Sequence, residues 1–119
     1  MNTTTTRWAL LAIRGLLTAA FLAAGLSKLA GAEMMVATFD TIGVGQWFRY
    51  VTGLIEVVAA ILLWVPGLQA LAAGALLCTM IGAVIAHLTV LGPSAVPAMV
   101  LGVLAAVTLW ANRGQMLRT

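Results

Sequence analysis

The stretch Gly53-Leu-Ile-Glu56-Val-Val-Ala-Ala-Ile-Leu-Leu-Trp64 decides how the chain is read, because it is an apolar helix with one carboxylate inside it. A carboxylate at the centre of a membrane-spanning helix costs roughly 2.5 to 3.5 kcal/mol on insertion scales. Glu56 therefore requires a partner or a function, and the rest of the chain is read as the means of holding it.

Composition supports the membrane setting. The 119 residues are 63% hydrophobic and 8% charged, against about 25% charged in soluble domains, and the mean hydropathy is +1.12. This is the composition of an integral membrane protein. A span needs about 20 apolar residues, so the expectation is a single all-α domain, residues 1–119, built as a bundle of four transmembrane helices. The net charge of +3 comes from six Lys and Arg placed one at a time, which is no basic patch and predicts no nucleic-acid partner. Cys78 is the single cysteine, so an intrachain disulfide is excluded.

Outward from the central stretch, the first span is expected over about residues 8–29, opened by Arg7 and Trp8. A cleaved signal sequence is the rival, given Ala23-Ala24-Gly25, but Arg14 interrupts what would be its uncharged segment. Arg14, Thr18, Phe21, Gly25 and Lys28 recur at steps of three and four and share one helix face, which should look into the bundle. Residues 32–42 place Met35, Phe39 and Ile42 on one side and Glu33, Ala37 and Asp40 on the other, predicting a short amphipathic helix in the interface, between the first and second spans. The second span is expected over 46–65, with Trp47 and Tyr50 at one end and Trp64 at the other, where amphipathic rings favour the headgroup level.

After the Pro66-Gly67 turn, the third span over 68–91 repeats small residues every fourth position: Ala70, Gly74, Cys78, Gly82 and Ala86. Such a ridge predicts close helix packing, within the chain or in a homo-oligomer, with Leu76 on the opposite face. Ala75, Thr79, Ala83 and His87 form the adjacent ridge. Ser94 can cap the fourth span, over 95–111, with Pro97 in its tolerated first turn, and Ala98, Gly102 and Ala106 repeat the small-residue pattern. Arg7, Arg113 and Arg118 lie beyond the outermost spans and the short turns carry no charge, which predicts both termini on the cytoplasmic side.

Depth ranks the partners for Glu56. Counted inward from Trp8 and back from Trp64, Arg14 and Glu56 fall within roughly 5 Å of one level. Lys28, Arg49 and His87 gather near the opposite ends of their helices, about 10 Å or more away in straight helices. Arg14 is the favoured partner, and a tilted bundle leaves Lys28 and His87 as alternatives. A satisfied ion pair that only glues helices together is the competing reading of the whole group.

Arg14 followed by Phe21, Gly25-Leu-Ser-Lys28-Leu29, the amphipathic stretch with Phe39, Gly53-Leu-Ile-Glu56, and Met80-Ile-Gly-Ala83 leading to His87 together resemble the DoxX and DoxX-like membrane proteins, over residues 7–112. The resemblance implies a small four-helix protein of a bacterial or archaeal cytoplasmic membrane. It also implies similarity to subunits found with quinone-linked sulfur oxidation and other redox systems. The family's polar pattern maps onto Arg14, Lys28, Glu56 and His87.

What is missing narrows the chemistry. One histidine cannot supply two axial haem ligands, and one cysteine makes neither a Cys-x-x-Cys pair nor an iron-sulfur site, so no built-in metal or redox group is expected. No phosphate-cradling glycine loop is present. Three functions remain. The first is a quinone-proximal subunit of a redox-enzyme partner, or a module binding a lipophilic ligand in a cleft lined by Arg14 and Glu56, with His87 or Lys28 donating to a carbonyl. The second is a non-catalytic assembly or scaffold protein. The third is a small proton-coupled transporter using Glu56, which the lack of helices broken at mid-span disfavours. Whether the protein is an enzyme is left open by the residues.

Overall fold

In hydrocarbon a backbone must satisfy its own polar groups, and the helix does so within one segment. Every regular element among the described residues is helical. The computed structural model describes residues 3–91 and 95–114, so the expected Ser94 cap and Arg118 lie outside the described residues. The elements are α1 (Thr3–Ala30), α2 (Glu33–Ile42), α3 (Gln46–Leu62), α4 (Gln69–Ala86), which continues as a π-helical turn (His87–Leu91), and α5 (Val96–Ala111). Two helical segments, Thr3–Ala30 and Gln69–Leu91, are long and apolar enough to cross a membrane. With 17 residues, α3 measures about 25 Å, and α5 with 16 is slightly shorter.

The four long helices pack as a ring: α1 on α3, α3 on α4, α4 on α5, and α5 back on α1. α2 lies at one end of the ring, against α3, the π turn and the end of α1. Its sidedness matches the pattern in the sequence, since Phe39 is buried and meets the Phe48 ring edge to face at 6.0 Å, while Glu33 and Asp40 are exposed. The core joins Leu17 and Phe21 of α1 to Ala59 and Ala60 of α3 and to Leu76 and Met80 of α4.

α1 stops where a glycine can turn the chain. Gly31 has φ +73°, its N–H donates to the Lys28 carbonyl at 3.3 Å, and the Ala32 N–H donates to the Ser27 carbonyl at 3.0 Å. This is the paired closure of a Schellman motif. α2 ends on the simpler αL closure at Gly43, φ +82°, whose N–H donates to the Phe39 carbonyl at 3.2 Å. In α5 Pro97 occupies the tolerated first turn, as expected.

One packing expectation fails in its intrachain form. The α4 ridge does not form a seam within the chain: Cys78 and Gly82 are exposed, and a Cβ added at Gly74 or Gly82 would meet nothing within 4 Å. Leu76, expected on the opposite face, is fully buried. α4 is apolar on every side, so its sequence pattern does not single out a face, and it packs on α5 through Leu76, Met80 and neighbouring alanines. The matching α5 pattern does face inward, with Ala98 and Gly102 buried and Gly102 against Met80.

Candidate functional site

The site is built on a close helix crossing between α1 and α3. A Cβ added at Gly25 would lie 2.7 Å from Val57 Cγ2 and 2.9 Å from the Gly53 carbonyl oxygen. A Cβ at Gly53 would lie 2.9 Å from Lys28 Cβ and 3.0 Å from the Gly25 carbonyl oxygen. Only glycine at both positions lets the two backbones touch, which is how helices associate when lipid offers no hydrophobic drive. Each glycine stands three residues before a charge, Gly25 before Lys28 and Gly53 before Glu56. The crossing therefore brings a cation and an anion to the same seam.

Lys28 Nζ lies 2.7 Å from Glu56 Oε1, with the Glu56 side chain 1% exposed and that of Lys28 14%. The ammonium is the sole polar partner of that oxygen. The favoured pairing of Glu56 with Arg14 is thus incorrect, and the reason lies in helix register. Arg14 precedes Gly25 by eleven residues and Trp64 follows Gly53 by eleven, and Arg14 does sit over the Trp64 ring, 5.0 Å from its centroid. Carried along this antiparallel register, Glu56 stands opposite Leu22, about 9 Å along the axis from Lys28 and about 12 Å from Arg14. Trp8 and Trp64 are not level, because α1 with its 28 residues overhangs α3.

Side-chain direction closes the remaining gap. Helical side chains lean toward the N-terminus of their own helix. Lys28 leans back into the bundle, Glu56 leans toward Gly53, and in antiparallel helices these directions converge. Arg14 leans the other way, away from Glu56. Its neighbourhood is the opposite end of α3: the Trp64 indole N–H donates to Thr18 Oγ1 at 2.7 Å, and Thr18 Oγ1 donates to the Arg14 carbonyl at 2.8 Å.

A second polar group escaped the sequence-based choice of candidates. Arg49, grouped in the sequence only with the charges near the helix ends away from Glu56, is 5% exposed. Its Nη1 donates to the Lys28 carbonyl and its Nε donates to Gln46 Oε1 at 2.7 Å. Gln46 Nε2 in turn donates to the Val36 carbonyl at 3.0 Å and to Asp40 Oδ1 at 2.9 Å. The Lys28 carbonyl belongs to the last turn of α1, where carbonyls lack helical partners and the dipole favours a cation. Arg49 thereby ties α1, α2 and α3 together, one turn beyond the Lys28–Glu56 pair. The signals for this site were present in the sequence as Gln46-x-x-Arg49 and as the two glycines placed three residues ahead of opposite charges.

His87 is half-buried at the start of the π turn and is not brought to Glu56, whose ion pair among the described residues is with Lys28. No cluster of His, Cys, Asp or Glu among the described residues could hold a metal ion. An open apolar groove of about 300 Å³ runs between α3 and α4, lined by Leu54, Ile55, Val58, Leu62, Leu71 and Ala75 among others. None of Arg14, Lys28, Glu56 and His87 lines it. The structure thus brings two of the four candidates together, Lys28 and Glu56, and places Arg14 and His87 elsewhere.

No curated protein and no solved structure matches this chain. The model of the DoxX-like family matches residues 12–111, a region that contains the glycine crossing, the ion pair, Arg14, Arg49 and His87. By that match, and with two helices long and apolar enough to cross a bilayer, the chain belongs to the DoxX-like family of membrane proteins.

Proposed function

We propose that the protein is a four-span membrane subunit that acts through assembly, as a scaffold for a partner, and carries out no reaction of its own. The observation that carries this reading is the enclosure of its central charges. Glu56 is sealed between α1 and α3 with Lys28 as its counter-ion and does not line the α3–α4 groove. A ligand would have to break the pair to reach either charge, and a buried charge left unpaired is costly.

All four long helices support the four-span reading, since each turns large apolar side chains outward: Leu16 and Leu26 on α1, Leu54 and Ile61 on α3, Ile81 and Ile85 on α4, Val100 and Val103 on α5. Both termini are assigned to the cytoplasm. Lys28 and Arg49 at the other end are committed to internal partners, whereas Arg7 and Arg113 are exposed. Cysteines placed at Thr5 and Asp40 in a Cys78-free background test this. An impermeant thiol reagent applied to intact cells should label position 40 alone, and the reverse pattern would invert the topology.

A second reading is supported by the groove between α3 and α4, which is apolar and open on its outer side. It suits the hydrocarbon tail of a lipophilic ligand such as a membrane quinone, presented to a redox-enzyme partner. Copurification separates the two readings. A scaffold brings down a stoichiometric protein, and the Lys28→Leu/Glu56→Leu double variant keeps it. Quinone absorbance that is present in the parent and lost in Val58→Trp, with no partner protein, would replace the scaffold by the ligand module.

A further inference from the structure

The two ends of the bundle treat their charges differently. Where α1 ends, Lys28 is paired with Glu56 and Arg49 is held by Gln46 and a helix terminus. At the end where α1 begins, the described charges are Arg7, Arg14 and Arg113, and all three acids of the chain, Glu33, Asp40 and Glu56, lie elsewhere. Arg113 is exposed, stacks on Trp110 at 3.8 Å and donates to the Trp110 carbonyl at 2.7 Å. Arg14 is different, because it is half-buried between α1 and α3 and no described carboxylate pairs with it. Its guanidinium rests on one face of Trp64, and among the described residues no side chain or carbonyl accepts from its N–H donors. Arg14 also stands level with Trp64, next to the Pro66-Gly67 turn where α3 gives way to α4. On the four-span reading that level falls in the headgroup region of one leaflet, which Trp rings favour.

We propose that Arg14, seated on Trp64, binds the phosphate of an anionic phospholipid in the leaflet at the α1 N-terminal end. The guanidinium fork matches two phosphate oxygens, and the aromatic face fixes its plane. The lipid supplies the counter-charge that Glu56 supplies to Lys28. The inference rests on the four-span reading, which sets this end of the bundle in a leaflet.

The test is reconstitution of the full chain into vesicles of phosphatidylcholine alone or mixed equally with phosphatidylglycerol, followed by extraction in mild detergent and native mass spectrometry. The parent should retain phosphatidylglycerol in preference to phosphatidylcholine. Arg14→Gln should lower that preference about fivefold, the worth of one basic side chain at a charged surface. Arg14→Lys should keep part of it, and Arg7→Gln should change it least. Circular dichroism and the melting temperature, measured on each variant, separate lost lipid from lost fold, and Trp64→Leu provides a second disruption of the same seat. Equal retention of both lipids by the parent, or an unchanged preference in a folded Arg14→Gln, would overturn the inference while leaving the spans intact. Displacement of the retained lipid by millimolar inorganic phosphate would also overturn it, by identifying a free-anion site. Failure of the parent to reconstitute would overturn both this inference and the four-span reading.

Discussion

The α1–α3 pair and the α4–α5 pair solve the same packing problem by opposite means. α1 and α3 touch backbone to backbone at Gly25 and Gly53, lock one register with the Lys28–Glu56 pair, and are closed at one end by Arg49 on the Lys28 carbonyl. α4 and α5 meet through apolar side chains, Leu76 and Met80 against a face built on Ala98, Gly102 and Ala105, without an ion pair among the described residues. The comparison teaches that a small residue in a membrane helix permits close approach but does not call for it. Gly74 and Gly82 are small residues like Gly25 and Gly53, and nothing among the described residues packs against them. What selects the α1–α3 seam is charge, because an unpaired carboxylate in hydrocarbon penalises every arrangement that leaves it alone.

The largest expected effect follows from that selection. Lys28→Leu and Glu56→Leu should each destabilise the bundle by about 3 to 5 kcal/mol, since each leaves a buried charge without its partner, while the double change should recover most of the loss. Unfolding in mixed micelles reads all three variants. Arg14→Leu should be distinctly milder and should show no coupling to Glu56→Leu in the same cycle. Strong coupling there, with none between Lys28 and Glu56, would restore the pairing that the depth count favoured.

A smaller effect should separate the glycines by sign. Gly25→Ala and Gly53→Ala force a methyl against backbone on the facing helix and should cost about 1 to 3 kcal/mol. Gly74→Ala and Gly82→Ala meet open space and should be neutral or stabilising by up to about 1 kcal/mol, the helix-propensity gain of alanine. The same micelle titration checks this at high dilution, where contacts between copies are absent. If all four changes destabilise alike, the contrast between the two pairs fails and the α4 ridge is a packed seam after all.

Read by itself, the sequence determined the setting and the elements. Composition marked a membrane protein, apolar periodicity delimited four long helices within a few residues of their observed bounds, and the pattern through Met35, Phe39 and Ile42 identified α2 and its buried side. It also picked out Glu56 as the residue that needed a partner, since the cost of a lone charge in hydrocarbon depends on residue type and surroundings and not on any neighbour's coordinates. The tertiary structure alone decided which partner. Relative depth depends on how far one helix overhangs another, and on which way long side chains lean, and neither can be counted from chain ends marked by tryptophans. The choice of seam is divided between the two: the sequence sets Gly25 and Gly53, unlike Gly74 and Gly82, three residues ahead of opposite charges, and only the register of α1 against α3 brings Lys28 within reach of Glu56.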